Sequence, residues 1–150
     1  MKNKTKDSFV KQTNVVKLDE VLFMNDARRK LREEVMELLY QYDFYESKFE
    51  LKNELFSPES IDLFNQVIKE LEQVDLLIEK NLFDYSLNRL NKVDKAIIRL
   101  ATYELLKKEL AHTIVINEAI ELTKEFSNLD DAKQHRFTNK VLDQIYQSIK

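Results

Sequence analysis

The chain has no cysteine, no glycine and no tryptophan, and a single proline, Pro58, among its 150 residues. Without cysteine there can be no disulfide, no thiolate metal site and no cysteine nucleophile, and a reducing interior is the expected setting. Without glycine, the phosphate-cradling loops and dinucleotide fingerprints that need a backbone free of Cβ cannot be built. Any turn that requires a positive φ then falls to Asn, Asp or Ser, so hairpins are disfavoured and long helices favoured. No apolar run approaches the roughly 18 residues of a membrane span, and the first residues lack the apolar core of a secretory signal. A cytoplasmic protein without a membrane partner is expected.

What the chain does contain is enough to fold. Hydrophobic residues make up 43% and charged residues 34%, a balance that offsets chain entropy with one ordinary core. The net charge of −3 conceals an asymmetry: residues 1–32 hold nine Lys or Arg against four acids, whereas residues 33–150 hold fifteen against twenty-three. A basic arm on an acidic body suggests a nucleic-acid contact near the start, although such arms are often only solvated.

Residues 1–24 show no sustained period and read as a mobile extension, with a docking turn conceivable through Val15, Val16, Leu18, Val21, Leu22 and Phe23. The domain is expected over 25–150. Its first helix follows Asn25 or Asp26 as cap and runs to about Tyr45, burying Leu31, Val35, Leu38, Leu39, Tyr42 and Tyr45 at helical spacing. Ser57-Pro58 marks a helix start, and the helix after it turns Ile61, Phe64, Val67, Ile68, Leu71 and Ile78 inward until the pattern breaks near Asn81. Residues 92–108 are apolar around most of their circumference and should form the central helix. Thr113 to Phe126, with Ile116, Ala119, Ile120, Thr123 and Phe126 inward, and a last helix from Asp130 or Asp131 to about Ile149, complete an all-α bundle of five to seven helices.

Two surface strips carry the functional reading. On a wheel of 100° per residue, the first helix places Arg29, Glu33, Glu37, Tyr40 and Phe44 opposite its core stripe, with Lys30 beside them and Arg28 and Arg32 on the flank. The last helix sets Lys133, Arg136, Lys140 and Gln144 apart from its core side, with Phe137 at the edge. Cations that track phosphates beside rings that stack on bases are what a single-stranded RNA site requires. The bland alternative is that the rings pack against neighbouring helices and the cations are merely solvated.

Catalytic constellations are thin. Glu109-Leu-Ala-His112 matches half of a di-metal helical site, but the other histidine, His135, has Ala132 three residues before it. Glu33-Glu34 and Asp130-Asp131 read as solvated faces and caps. Glu104, on the apolar side of the central helix, needs a partner and reads as a structural anchor. No metal or cofactor is expected, and no enzymatic activity.

The segment Ala27-Arg-Arg-Lys-Leu-Arg-Glu-Glu-Val-Met-Glu-Leu-Leu-Tyr40 resembles the Arg-rich opening helix of the NusB family of antitermination factors. Arg89-Leu-Asn-Lys-Val-Asp-Lys-Ala-Ile-Ile-Arg-Leu-Ala-Thr-Tyr-Glu104-Leu resembles its central helix. Ile116-Asn-Glu-Ala-Ile-Glu-Leu-Thr-Lys-Glu-Phe126 and His135-Arg-Phe-Thr-Asn-Lys-Val-Leu-Asp143 resemble its last two. The resemblance spans about 27–145 and implies two three-helix bundles, no catalysis, and a heterodimer with ribosomal protein NusE. That heterodimer would bind the boxA element of ribosomal RNA leaders and help the elongation complex pass terminators. By the same resemblance Arg28, Arg29, Lys30, Arg32 and Tyr40 would lie on the RNA face with Phe137 and its basic neighbours, and Asp94, with Arg99 beside it, near the NusE contact. Lys140 stands where the family usually has glycine, and Glu37 where it often has glutamine. A protein–protein adaptor, or an accessory domain in ribosomal RNA modification, is the alternative, and self-association stays open.

Overall fold

Ser57 starts its helix as expected: its Oγ accepts from Ser60 N–H at 3.2 Å and Pro58 takes the first helical position. The computed structural model describes residues 27–83, 86–127 and 131–150, and these form six α-helices with three short 3₁₀ turns and no strand among them. The expected extension 1–24, its docking turn, Tyr85 and the caps at Asn25, Asp26 and Asp130 lie outside the described residues. We number the helices α1 (27–45), α2 (Pro58–Lys69), α3 (Leu71–Lys80), α4 (Lys92–Lys107), α5 (His112–Phe126) and α6 (Asp131–Ile149). The all-α class is as the sequence indicated.

α4 is the axis of the molecule. Asn91 caps it, its side chain accepting from Val93 N–H at 2.8 Å. Every residue from Asp94 to Tyr103 is buried, because α2, α3, α5 and α6 all pack against it. Ile97, Ile98 and Leu100 meet Leu38, Leu39, Ile78, Leu122, Leu142 and Ile145 in one core, each such side chain contributing about 1.5–3 kcal/mol by leaving water. Helices α4, α5 and α6 contact one another in all three pairings, which gives the C-terminal half its own three-helix unit.

Three expectations need correcting. The helix after Pro58 is not continuous: Glu70, at φ −107° and ψ 12°, turns its N–H onto the Val67 carbonyl at 3.1 Å and separates α2 from α3. The break re-aims the second segment so that Val74 and Ile78 are buried, while Ile61, Ile68 and Leu71 are only half-buried. Among the described residues, positive φ falls on Glu46 (52°) and Lys108 (58°) and on no Asn, Asp or Ser, because α1 and α4 end there and the chain must turn. Finally, Tyr45 and Phe126 point outward, at 52% and 39% exposure.

Candidate nucleic-acid interface

The outer stripe of α1 stands as the wheel placed it. Tyr40 and Phe44, four residues apart, share a face at 36% and 56% exposure, with ring centroids 6.3 Å apart and planes 16° from parallel. Phe44 meets Tyr45 edge-on at 5.0 Å, so three aromatic rings line the end of the helix. Beside them a groove of about 390 Å³ runs between α1, the start of α4 and the end of α5, lined by Lys30, Glu33, Glu34, Met36, Glu37, Tyr40, Val93 and Phe126. Phe126 is a ring that sequence reasoning missed. Its periodicity aligned it with the core stripe of α5, but it lies at the last residue of that helix, where no neighbour covers it fully.

The four cations of the basic cluster have different fates. Lys30 is exposed and in no ion pair among the described residues. Arg28, half-exposed, lines a second groove of about 500 Å³ with Leu31, Leu63 and Tyr103. Arg29 donates to Glu125 at 2.8 Å and lies 3.6 Å from Glu33. The hydrogen bond to Glu125, helped by the surrounding carboxylates, holds the Arg29 guanidinium above its already high ordinary pKa. Arg32 departs from the expected RNA face. Its side chain is 7% exposed and grips Glu104 through Nε at 3.0 Å and Nη2 at 2.9 Å. Glu104 has therefore found the partner its position demanded, and Arg32 is the joint between α1 and α4.

On α6, Lys133, Arg136 and Lys140 are exposed, whereas Phe137 is half-buried and packs against the core. The ring expected at the edge of this strip thus offers a rim more than a platform. Thr138, Val141, Leu142 and Ile145 take the inward positions assigned to them.

The two residues placed by resemblance at a partner contact lie inside. Asp94 is fully buried and accepts a hydrogen bond from Gln134 Nε2. Burial pushes its carboxyl above the ordinary value, and Ser127 and Gln134 offset this only in part. Among the described residues, neither Asp94 Oδ1 nor Ser127 Oγ has a hydrogen bond of good geometry. Arg99, 6% exposed, is clamped by Asp75 through Nε at 2.9 Å and Nη2 at 2.8 Å, and reaches Asp43 at 3.3 Å. Asp43 also receives Lys92 at 2.7 Å and Lys95 at 2.8 Å. Burial pushes the Asp43 carboxyl up, but these cations outweigh it and hold it below the ordinary range. Both positions act in this chain as ties between helices, because the faces that carry them are covered by α1, α3 and α6.

Glu34, read from sequence as a solvated acid, is instead a tie to α2. Its Oε2 accepts from Ser57 N–H at 3.2 Å, from Ser57 Oγ at 3.0 Å and from Ser60 Oγ. The Ser60 hydroxyl leads in holding the Glu34 carboxyl below its ordinary pKa. Of the supposed half metal motif, Glu109 is exposed and the His112 ring stacks on Tyr146 at 3.7 Å and 6°. No group of three or more metal-ligating side chains occurs among the described residues, and no helix among them is long and apolar enough to cross a membrane.

Comparison with known proteins decides what this scaffold is. The NusB family matches residues 29–147. The chain belongs to the NusB family. It is 38% identical over 129 residues to the transcription antitermination protein NusB of Sulfurovum sp., covering 79% of this chain and 97% of that one. To its counterpart in Bacillus cereus it is 36% identical over 127 residues, covering 79% and 95%. Among solved structures, T. maritima NusB aligns with a TM-score of 0.67 at 31% identity, covering 80% of this chain and 90% of that one. A crystal structure of antitermination factors NusB and NusE in complex with dsRNA aligns with a TM-score of 0.64 at 25% identity, covering 81% and 96%. The NusB family match takes in nearly all of α1 and of α6, with Arg28 just ahead of it.

Proposed function

We propose that this chain is a non-catalytic RNA-binding adaptor in transcription antitermination. It takes a boxA-like single-stranded segment of a ribosomal RNA leader together with NusE, within the elongation complex. The observation that carries this reading is the groove of α1, α4 and α5, which Lys30 and two exposed rings, Tyr40 and Phe126, line together with Glu33, Glu34 and Glu37. Lys30 supplies phosphate contacts from α1 at this groove, Arg28 lying at the separate groove beside α2 and α4, and Lys133, Arg136 and Lys140 supply them from α6. Tyr40 and Phe126 offer faces on which bases stack, with Phe137 at the border of the second strip. A relative of the same fold, crystallised with NusE and dsRNA, supports NusE and RNA as the classes of partner.

The test is titration of a labelled boxA-like RNA at two salt concentrations, with and without NusE. Affinity should fall with salt, by a slope of about 0.7 per phosphate contacted. Tyr40→Ala should lose ~1–3 kcal/mol of binding, and Lys30→Glu should weaken binding about tenfold and flatten the salt slope. Absence of RNA binding in every combination overturns the reading. NusE binding that persists without RNA affinity would leave the protein–protein adaptor in its place, a reading favoured by the carboxylates already engaging Arg29 and Arg32.

A further inference from the structure

Two arginines of the basic cluster carry carboxylate partners, and the two pairs differ in accessibility. The Arg32–Glu104 side chains are 7% and 13% exposed, a structural joint, whereas Arg29 and Glu125 are 38% and 47% exposed. Arg29 Nη2 to Glu125 Oε2 is 2.8 Å, the distance of a charge-assisted hydrogen bond. Glu33 stands 3.6 Å from Arg29 Nε, and the field of Glu118 also reaches the guanidinium. The central arginine of the strip therefore faces acids from both α1 and α5. Glu125 is followed by Phe126, which lines the groove with Tyr40, Lys30, Glu33, Glu34 and Glu37, so a strand that reaches the Phe126 ring passes close to the Arg29–Glu125 pair. A phosphate there must take the guanidinium from Glu125 or go without it.

We propose that Glu125 masks Arg29, competing with RNA phosphate for its guanidinium and so setting the affinity and the salt response of the RNA face. This rests on the RNA-binding reading. The pair is solvent-exposed, so opening it is easy and the competition is graded. Lys30, whose charge reaches Glu34 but which forms no ion pair among the described residues, acts as the constitutive contact, and Arg29 is engaged only as the pair opens.

The experiment compares the full-length chain with Glu125→Gln, titrating the boxA-like RNA in the presence of NusE across a series of salt concentrations. The substitution should tighten binding about 1.5- to 5-fold at low salt, the range spanned by an exposed pair. It should also steepen the dependence of log affinity on log salt by up to ~0.7, one added phosphate contact. In an Arg29→Ala background the same substitution should give less than half of that gain. An equal gain in both backgrounds shows only a general charge effect and overturns the proposal, as does an unchanged or weakened Glu125→Gln. RNA binding that appears only in Glu125→Gln supports the mask. Binding by neither protein defeats the RNA reading itself, and the mask with it, whereas a wild type that binds and a silent substitution defeat the mask alone.

Discussion

Asp94 is a carboxylate held where water does not reach, with one oxygen on Gln134 and the other without a well-formed bond among the described residues. Burial raises its folded-state pKa above the unfolded value. Its contribution to stability is thus full below the ordinary carboxylate range and is lost as pH rises through the folded value. Asp94→Asn keeps the shape and still accepts from Gln134, so at pH 7 it should be more stable than wild type by about 1 kcal/mol. Urea denaturation at pH 7 and pH 4 checks this, since the gap should close at the lower pH. A less stable Asn variant at pH 7 would show that the charged hydrogen bond outweighs desolvation.

At the scale of helices, Glu34 joins the middle of α1 to the start of α2, where the Ser57 N–H and two hydroxyls converge on it. Its pKa is lowered in the folded state, so the stabilisation is present above the ordinary carboxylate range and fades as pH falls through the folded value. Glu34→Ala should lose about 1.5–3 kcal/mol at neutral pH, and thermal unfolding followed from pH 7 to below the ordinary carboxylate range should show the two proteins converging only at its acid end. The start of α2 was legible in Ser57-Pro58, and α4 in its unbroken apolar girth, because those signals are local. The break at Glu70 was not, since neither glycine nor proline marks it and the apolar period runs straight through. The same limit governed the site. A wheel fixes which way Tyr40 and Phe44 point relative to their own axis, and both point outward. It cannot say which neighbour stands opposite: it leaves Arg32 on an outward flank, where Glu104 of α4 meets it, and it aligns Phe126 with a core that stops short of it.

For the molecule as a whole, α4 is the member that ties the rest together, and Arg99 is its main cross-link, holding Asp75 of α3 and Asp43 of α1 at once. Replacing Arg99 by Met leaves Asp75 without its cation and Asp43 with two of three, both substantially covered. The expected loss is about 3 kcal/mol in urea. Because one core spans both halves, tyrosine fluorescence and far-UV circular dichroism should still report a single coincident transition; separated midpoints would show the halves unfolding independently. Lys108 completes the circuit differently. It ends α4 in a left-handed conformation that disfavours any residue with a side chain by ~1 kcal/mol. Yet its ammonium reaches the Ile149 carbonyl at 3.2 Å. A glycine there would relax the torsion and at the same stroke remove the side chain that links the end of α4 to the last turn of α6 in this contact, so the awkward residue fastens two helix ends that the backbone alone leaves apart.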